Sequence, residues 1–141
     1  MTNQFDVVQV PELAEEDGAL DEATVEITRC AFVAAAAADE KLGTDTIVLG
    51  MSELLPVVDA FVVTSGRNVR QVRSMVDEIE LQVKLQCDRA PVRVEGLRDG
   101  TWVLMDYGDF LVHVFMDEAR SLYDLEHLWN DAPRVPWADA A

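Results

Sequence analysis

Asp106, Asp109 and His113 form the densest polar group in the sequence, and they lie beside an apolar hairpin pattern. Carboxylates and imidazoles are side chains that bind divalent metals or transfer protons. A nucleotidyltransferase site needs two carboxylates on one strand face, two residues apart, whereas these two are three residues apart across a turn. Asp109 also follows Gly108, and aspartate beside glycine is favoured in turns. We therefore predict no catalytic residue, no metal site and no cofactor here.

Ser65 and Gly66 are a second candidate site, because they follow a strand pattern and precede a helix pattern. Free backbone N–H groups at the start of a helix attract anions such as phosphate. The sequence lacks the GxxxxGK(S/T), GxGxxG and GxSxG motifs, so we favour a structural turn. The enzyme alternative is a magnesium-dependent nucleotidyltransferase that uses Ser65, Gly66, Asp106 and Asp109.

Arg67, Arg70 and Arg73 form a basic strip at three-residue spacing on a predicted helix. Such a strip can meet phosphate or an acidic patch, but we favour pairing with carboxylates of the same chain, such as Asp77. His127 has no second His or Cys at metal-ligand spacing, and we predict a solvent-facing histidine on a helix.

Trp102 begins a strand pattern with large apolar side chains on both faces of the strand. If helices cover only one face, the other exposes an aromatic patch, and aromatics edged by carboxylates are typical of protein-binding surfaces. The alternative is that both sets belong to the core, because tryptophan is usually well buried. The alternation places Trp102, Leu104 and Asp106 on one face and Val103, Met105 and Tyr107 on the other.

The chain is strongly acidic: 11 Lys and Arg against 27 Asp and Glu give its 141 residues a net charge of −16. This charge repels phosphate backbones and anionic lipids and favours a basic protein, so we predict little nucleic-acid contact and no membrane contact. The longest apolar run, residues 30–38, is too short to span a bilayer. The N-terminus does not resemble a secretion signal, so we expect a cytoplasmic protein with Cys30 and Cys87 as free thiols.

The periodicities predict one α/β domain, with a mixed five-stranded sheet flanked by helices. We expect a disordered acidic leader at 1–20, the folded domain at 21–131 and an irregular tail at 132–141. The alanines at 34–38 are expected to pack closely against the sheet, and the Gly108 turn to join two antiparallel strands. The predicted order is a helix at 21–43, strands at 46–51 and 60–64, a helix at 69–87, strands at 92–95, 101–107 and 110–116, and a helix at 117–129.

Two segments resemble the ribosomal silencing factor family, also called the Iojap-related family. The first is D-x-F-V-x-x-S-G at Asp59–Gly66, followed by R-Q-V at Arg70–Val72. The second and more characteristic one is W-x-L-x-D-Y-G-D-x-x-V-H-x-F from Trp102, followed by Y-D-L-E-x-L-W. The resemblance runs from about Ala31 to Trp129 and so covers most of the chain.

The resemblance implies an α/β fold related to that of nucleotidyltransferases but without their catalytic carboxylates, and hence no enzyme. Members of the family bind the large ribosomal subunit through its ribosomal protein fourteen, block joining of the small subunit and lower translation when nutrients run short. The resemblance also implies a homodimer when the protein is free. Carried over to this sequence, the partner-binding residues are Trp102, Leu104, Asp106, Tyr107, Gly108, Asp109 and His113, with the aspartates facing basic side chains of the partner.

A factor that helps to mature the large subunit through the same contact is an alternative to silencing. The sequence does not separate the two, because a single surface can serve either purpose. Both are noncatalytic roles, in which no bond is made or broken.

Overall fold

The computed structural model describes residues 22–138, which form a five-stranded sheet flanked by four helices. The strands and the two long helices lie within a few residues of their predicted positions. The predicted last helix is divided in two, because Asp124 has a left-handed backbone with φ of 46°. The predicted leader lies outside the described residues. The elements are α1 (Glu22–Glu40), β1 (Thr44–Gly50), β2 (Ala60–Gly66), α2 (Val69–Cys87), β3 (Arg93–Glu95), β4 (Trp102–Asp106), β5 (Phe110–Met116), α3 (Asp117–Tyr123) and α4 (Leu125–Leu128).

The sheet is mixed, with strand order β1-β2-β5-β4-β3. β2 runs parallel to β5, and the other neighbouring strands are antiparallel. The predicted hairpin between β4 and β5 is confirmed, and Gly108 occupies its turn with φ of 91°, a conformation that favours glycine. The register sets Trp102 opposite Phe115 and Leu104 opposite His113, so these four side chains share one face of the sheet.

α1 and α2 cover the other face of the sheet and form the larger core with it. The alanines at 34, 35, 37 and 38 are fully buried, which confirms their predicted close packing. Val103 and Met105 of β4, and Tyr107 directly after it, point into this core. Among the described helices, none combines the length and hydropathy that a membrane span requires.

A smaller apolar cluster covers only part of the sheet face that carries Trp102. Its buried members include Phe61, Phe115 and Leu125, whereas Trp102 packs at its margin and stays partly exposed. Leu104 is also partly exposed. The long helices therefore cover one face of β4 and leave the other partly exposed, which is the arrangement under which the sequence predicted an exposed aromatic patch.

A disulfide joins Cys30 of α1 to Cys87 of α2, so the expectation of free thiols is wrong. The two helices pack side by side and bring the two Cα atoms to 6.1 Å, a separation that a disulfide spans. The cysteines are 57 positions apart in the sequence, and neither lies in a motif that indicates a partner. Their pairing follows from helix packing, which the sequence pattern did not reveal.

As far as the described residues extend, the C-terminal tail is irregular and packs along β1. It covers the backbone edge of β1, which would otherwise offer unpaired N–H and C=O groups to another strand. Three hydrogen bonds of 2.8 Å hold it: from Gly50 N to Pro133 O, from Val135 N to Val48 O and from Trp137 Nε1 to Thr46 O.

Candidate functional site

Three partly or largely exposed apolar side chains, Trp102, Leu104 and Tyr123, form what we call the aromatic face. The Trp102 ring stacks on Phe115 with centroids 4.9 Å apart, and it contacts Tyr123 at 4.7 Å. Its Nε1 donates a hydrogen bond of 3.2 Å to His113 Nδ1. Tyr123 is 55% exposed. The face is therefore held rigidly from beneath and open to solvent above.

His113 lies beneath the aromatic face and not on the surface, which corrects its place among the predicted partner contacts. Burial lowers the pKa of His113 to about 4, so the ring is neutral at pH 7. Since Nδ1 accepts the hydrogen of the Trp102 indole, the proton of the neutral ring is assigned to Nε2. Nε2 has no hydrogen-bond partner among the described residues, and the Phe61 ring lies 4.8 Å from the imidazole. His113 therefore orients Trp102.

The lowered pKa of His113 predicts a loss of stability in acid. The unfolded chain takes up a proton below about pH 6.5, whereas the folded chain resists it until about pH 4. The contribution of neutral His113 to the free energy of unfolding is fully present above pH 6.5 and is lost as the pH falls. The loss is about 2 kcal/mol at pH 5. Urea unfolding between pH 7 and 4.5 measures this. The His113→Phe variant should lose less stability over the same range, and an equal loss in both chains would contradict the assignment.

Tyr107 lies in the core, so its side chain cannot contact a partner as predicted. Only 2% of the residue is exposed, and the ring stacks on Phe110 with centroids 4.6 Å apart. Burial raises the pKa of the Tyr107 hydroxyl, which has no hydrogen-bond partner among the described residues. The alternation along β4 was read correctly, but it sends Tyr107 towards the helices and away from the aromatic face.

Asp106 and Asp109 are held by groups of their own chain, which differs from the expectation that they face a partner's basic side chains. Asp106 Oδ1 accepts a hydrogen bond from the Gly108 backbone N at 2.8 Å, and its Oδ2 lies 3.4 Å from the Arg93 guanidinium. Asp109 Oδ1 accepts from Arg89 at 2.7 Å. Gly108 is exposed at the tip of the turn. These residues fix the hairpin, and their charges are partly neutralised within the chain.

The structure does not bring Asp106, Asp109 and His113 together as a metal or acid–base site. The two carboxylates pair with different arginines, and the imidazole is buried beneath Trp102. Within residues 22–138, one group of three metal-binding side chain types converges, namely Glu26, Cys30 and Cys87. Its two sulfur atoms are bonded to each other, so they are not available as thiolate ligands in this state.

Ser65 is part of a structural contact and not of a phosphate cradle. Its hydroxyl is buried between the Thr44 carbonyl, at 3.3 Å, and the Arg120 guanidinium, at 3.2 Å. The start of α2 is capped by the Asn68 side chain, which accepts a hydrogen bond from Gln71 N at 2.8 Å. These contacts agree with the prediction that Ser65 and Gly66 form a structural turn. Arg120, which the sequence analysis overlooked, is the group that ties α3 to the start of β1.

The basic strip begins at Arg67, just before α2, and is only partly paired within the chain. Arg73 donates hydrogen bonds to the carbonyls of Leu97 and Arg98, so its partners are backbone carbonyls and not the predicted carboxylates. Arg67 and Arg70 are exposed.

Tyr123 is an exposed residue of the aromatic face that the predicted site does not include, although it begins the Y-D-L-E-x-L-W pattern quoted above. It ends α3, whose exposed side chains include Glu118, and it is followed directly by exposed Asp124. His127 of α4 is also exposed, which confirms its predicted position. Aromatic and acidic side chains thus lie next to each other on this part of the surface.

Comparisons with known proteins identify similar chains along most of this length. A family model described as "Ribosomal silencing factor during starvation" matches residues 24–141. A ribosomal silencing factor of Bacillus subtilis (strain 168) is 41% identical over 104 residues, which cover 72% of this chain and 85% of that protein. A crystal structure of a protein from Chromobacterium violaceum superposes with a TM-score of 0.70 at 33% identity and covers 74% of this chain and 86% of that one.

A mouse protein is similar over a shorter part of its length. It is named as a mitochondrial protein for assembly of the ribosomal large subunit, and it is 32% identical over 88 residues. The match covers 61% of this chain and 39% of the mouse protein.

Proposed function

Because the chain belongs to the ribosomal silencing factor family, we propose that it binds the large ribosomal subunit and blocks joining of the small subunit. Translation is thereby repressed when nutrients are limited. The proposed contact on the large subunit is its ribosomal protein fourteen. The mechanism is steric: the bound chain occupies volume that the small subunit needs, and no bond is made or broken.

The observation that carries this proposal is the aromatic face of Trp102, Leu104 and Tyr123. Trp102 and Leu104 lie on the sheet and Tyr123 on the end of α3, and large apolar side chains that are rigidly held and exposed are the usual anchors of a protein–protein contact. A standard interface buries about 1,600 Å² in total, which is a larger area than three side chains supply. The hairpin tip at Gly108 and the exposed side chains of α3 lie on elements next to the face and supply further surface.

Charge supports a basic protein partner. The chain carries a net charge of −16, which speeds its encounter with a cationic surface and discourages spreading over ribosomal RNA. With Asp106 and Asp109 held by arginines of the chain, exposed Glu118 and Asp124 are the carboxylates proposed to face the partner. The contact with nucleic acid is proposed to be small.

Subunit joining in vitro tests the function. Purified mature large and small subunits are mixed with and without the chain and separated on sucrose gradients. We expect the joined-ribosome peak to fall and the chain to sediment with the large subunit. An unchanged joined peak, at concentrations where the chain binds the large subunit, would contradict silencing.

A role in large-subunit assembly is the second candidate, and the name of the mouse relative favours it. It uses the same surface, so the aromatic face does not separate the two roles. Cells that lack the chain would then accumulate immature large subunits, whereas mature subunits would join normally in its presence. The gradient experiment above gives opposite results for the two candidates.

We also propose that the free chain is a homodimer, which the family resemblance supports. If the dimer covers the aromatic face, dissociation to the monomer must precede docking, by mass action. Sedimentation at several protein concentrations measures the dimer, and a monomer at all concentrations would contradict it.

A further inference from the structure

The two cysteines of the disulfide between α1 and α2 differ in their exposure to solvent. Cys30 is 0% exposed in the middle of α1. Cys87 is the last residue of α2 and is partly exposed. A small molecule in solution can therefore reach the sulfur of Cys87 before that of Cys30.

The charges around the two sulfurs are asymmetric as well. The Arg29 guanidinium lies 3.5 Å from Cys87 Sγ and is held by the Gln86 carbonyl at 2.9 Å. Glu26 Oε1 lies 3.7 Å from Cys30 Sγ. A hydrogen bond from Arg29, with help from the charge of Arg89, lowers the pKa of the Glu26 carboxyl, so it is ionised at neutral pH.

These charges assign different roles to the two thiols when the pair is reduced. A cation beside Cys87 stabilises its thiolate, which is the form that attacks a disulfide. Arg29 thereby offsets the unfavourable carbonyl dipoles at the end of α2. The Glu26 carboxylate disfavours a second anion at Cys30 and accepts the hydrogen of the Cys30 thiol.

We propose that Cys87 and Cys30 form a thiol–disulfide exchange site for small disulfides such as oxidised glutathione, with Cys87 as the sulfur that reacts first. The Cys87 thiolate attacks one glutathione sulfur, the glutathione S–S bond breaks, and one glutathione thiolate leaves and takes up a proton. Cys30 then loses its proton and attacks Cys87 Sγ, which forms the protein disulfide and releases the second glutathione. The protein dithiol is oxidised by two electrons, and one glutathione disulfide is reduced to two thiols.

The exchange site lies in the helical layer, on the opposite side of the sheet from the aromatic face. Oxidation therefore adds no group to the proposed docking surface. It closes a link between α1 and α2, and so changes the stability of the fold that presents the aromatic face.

Intact-mass spectrometry after an acid quench tests the proposal on the full chain. The reduced chain is incubated with oxidised glutathione at neutral pH. The parent should lose two hydrogens and retain no glutathione. Cys30→Ala should trap one glutathione at Cys87, whereas Cys87→Ser should react at least about tenfold more slowly, because its remaining thiol is buried. Arg29→Gln should slow the first step about threefold. Loss of the cation lowers the fraction of Cys87 that is thiolate, and the higher nucleophilicity of the remaining thiolate offsets only part of this loss.

The same reactions in concentrated urea are the control, because the two single-cysteine variants should then react at similar rates. Circular dichroism establishes that each variant is folded before the rates are compared. Equal rates for folded Cys30→Ala and Cys87→Ser would overturn the assignment of Cys87. Retention of glutathione by the folded parent would overturn the second step.

Discussion

Replacing Trp102 with alanine should weaken binding to the large ribosomal subunit by about thirtyfold or more. Trp102 is the largest side chain of the aromatic face, and truncation of a central aromatic typically costs about 2 kcal/mol or more of binding free energy. The substitution also removes the partner of His113 Nδ1 and a stacking contact with Phe115, so it weakens the fold as well. Affinity is measured by co-sedimentation of the chain with purified large subunits at increasing concentration.

Two further variants separate docking from folding. Tyr123→Ala removes a side chain that is 55% exposed, so it should weaken docking with little effect on stability. Leu85→Ala is the matched control, because Leu85 is 68% exposed on α2, in the helical layer behind the sheet. Full affinity in folded Trp102→Ala and Tyr123→Ala would show that the aromatic face is not the docking surface.

Local pattern was sufficient to predict most of the fold. In α2, Val72, Val76, Ile79 and Val83 recur every three or four residues, and the structure buries all four. Such periodicity reports directly which face of an element meets the core. The break at Asp124 was missed, because a single left-handed residue leaves the apolar spacing on either side unchanged.

The site was harder to predict, because strand alternation defines two faces without showing which one the helices cover. For residues 102–107, knowing which face the helices cover decides between Trp102, which is partly exposed, and Tyr107, which is buried. The sequence pattern also did not indicate the pairing of Asp109 with Arg89, since β3, β4 and the hairpin turn separate the two residues along the chain. The resemblance pointed to the hairpin, and packing determined which of its side chains reach the surface.

Reduction of the disulfide between Cys30 and Cys87 should lower the free energy of unfolding by about 4 kcal/mol. A cross-link over a separation of 57 residues removes much of the conformational freedom of the unfolded chain, and the chain-entropy relation gives this magnitude. For a domain of this size the loss corresponds to a fall in Tm of about 15 °C. Thermal unfolding followed by circular dichroism, with and without a phosphine reductant, measures the change.

The Cys30→Ala variant is the control for this experiment, because it cannot form the link and its Tm should not respond to the reductant. Alanine suits the site, since Cys30 is fully buried beside the alanines of α1. The parent after reduction should melt near the temperature of this variant. If the parent shows the same Tm in both conditions while mass spectrometry confirms that its thiols are free, the disulfide does not stabilise the fold. Loss of the link should lower Tm without lowering the affinity of the folded chain for the large subunit, because α1 and α2 lie behind the sheet.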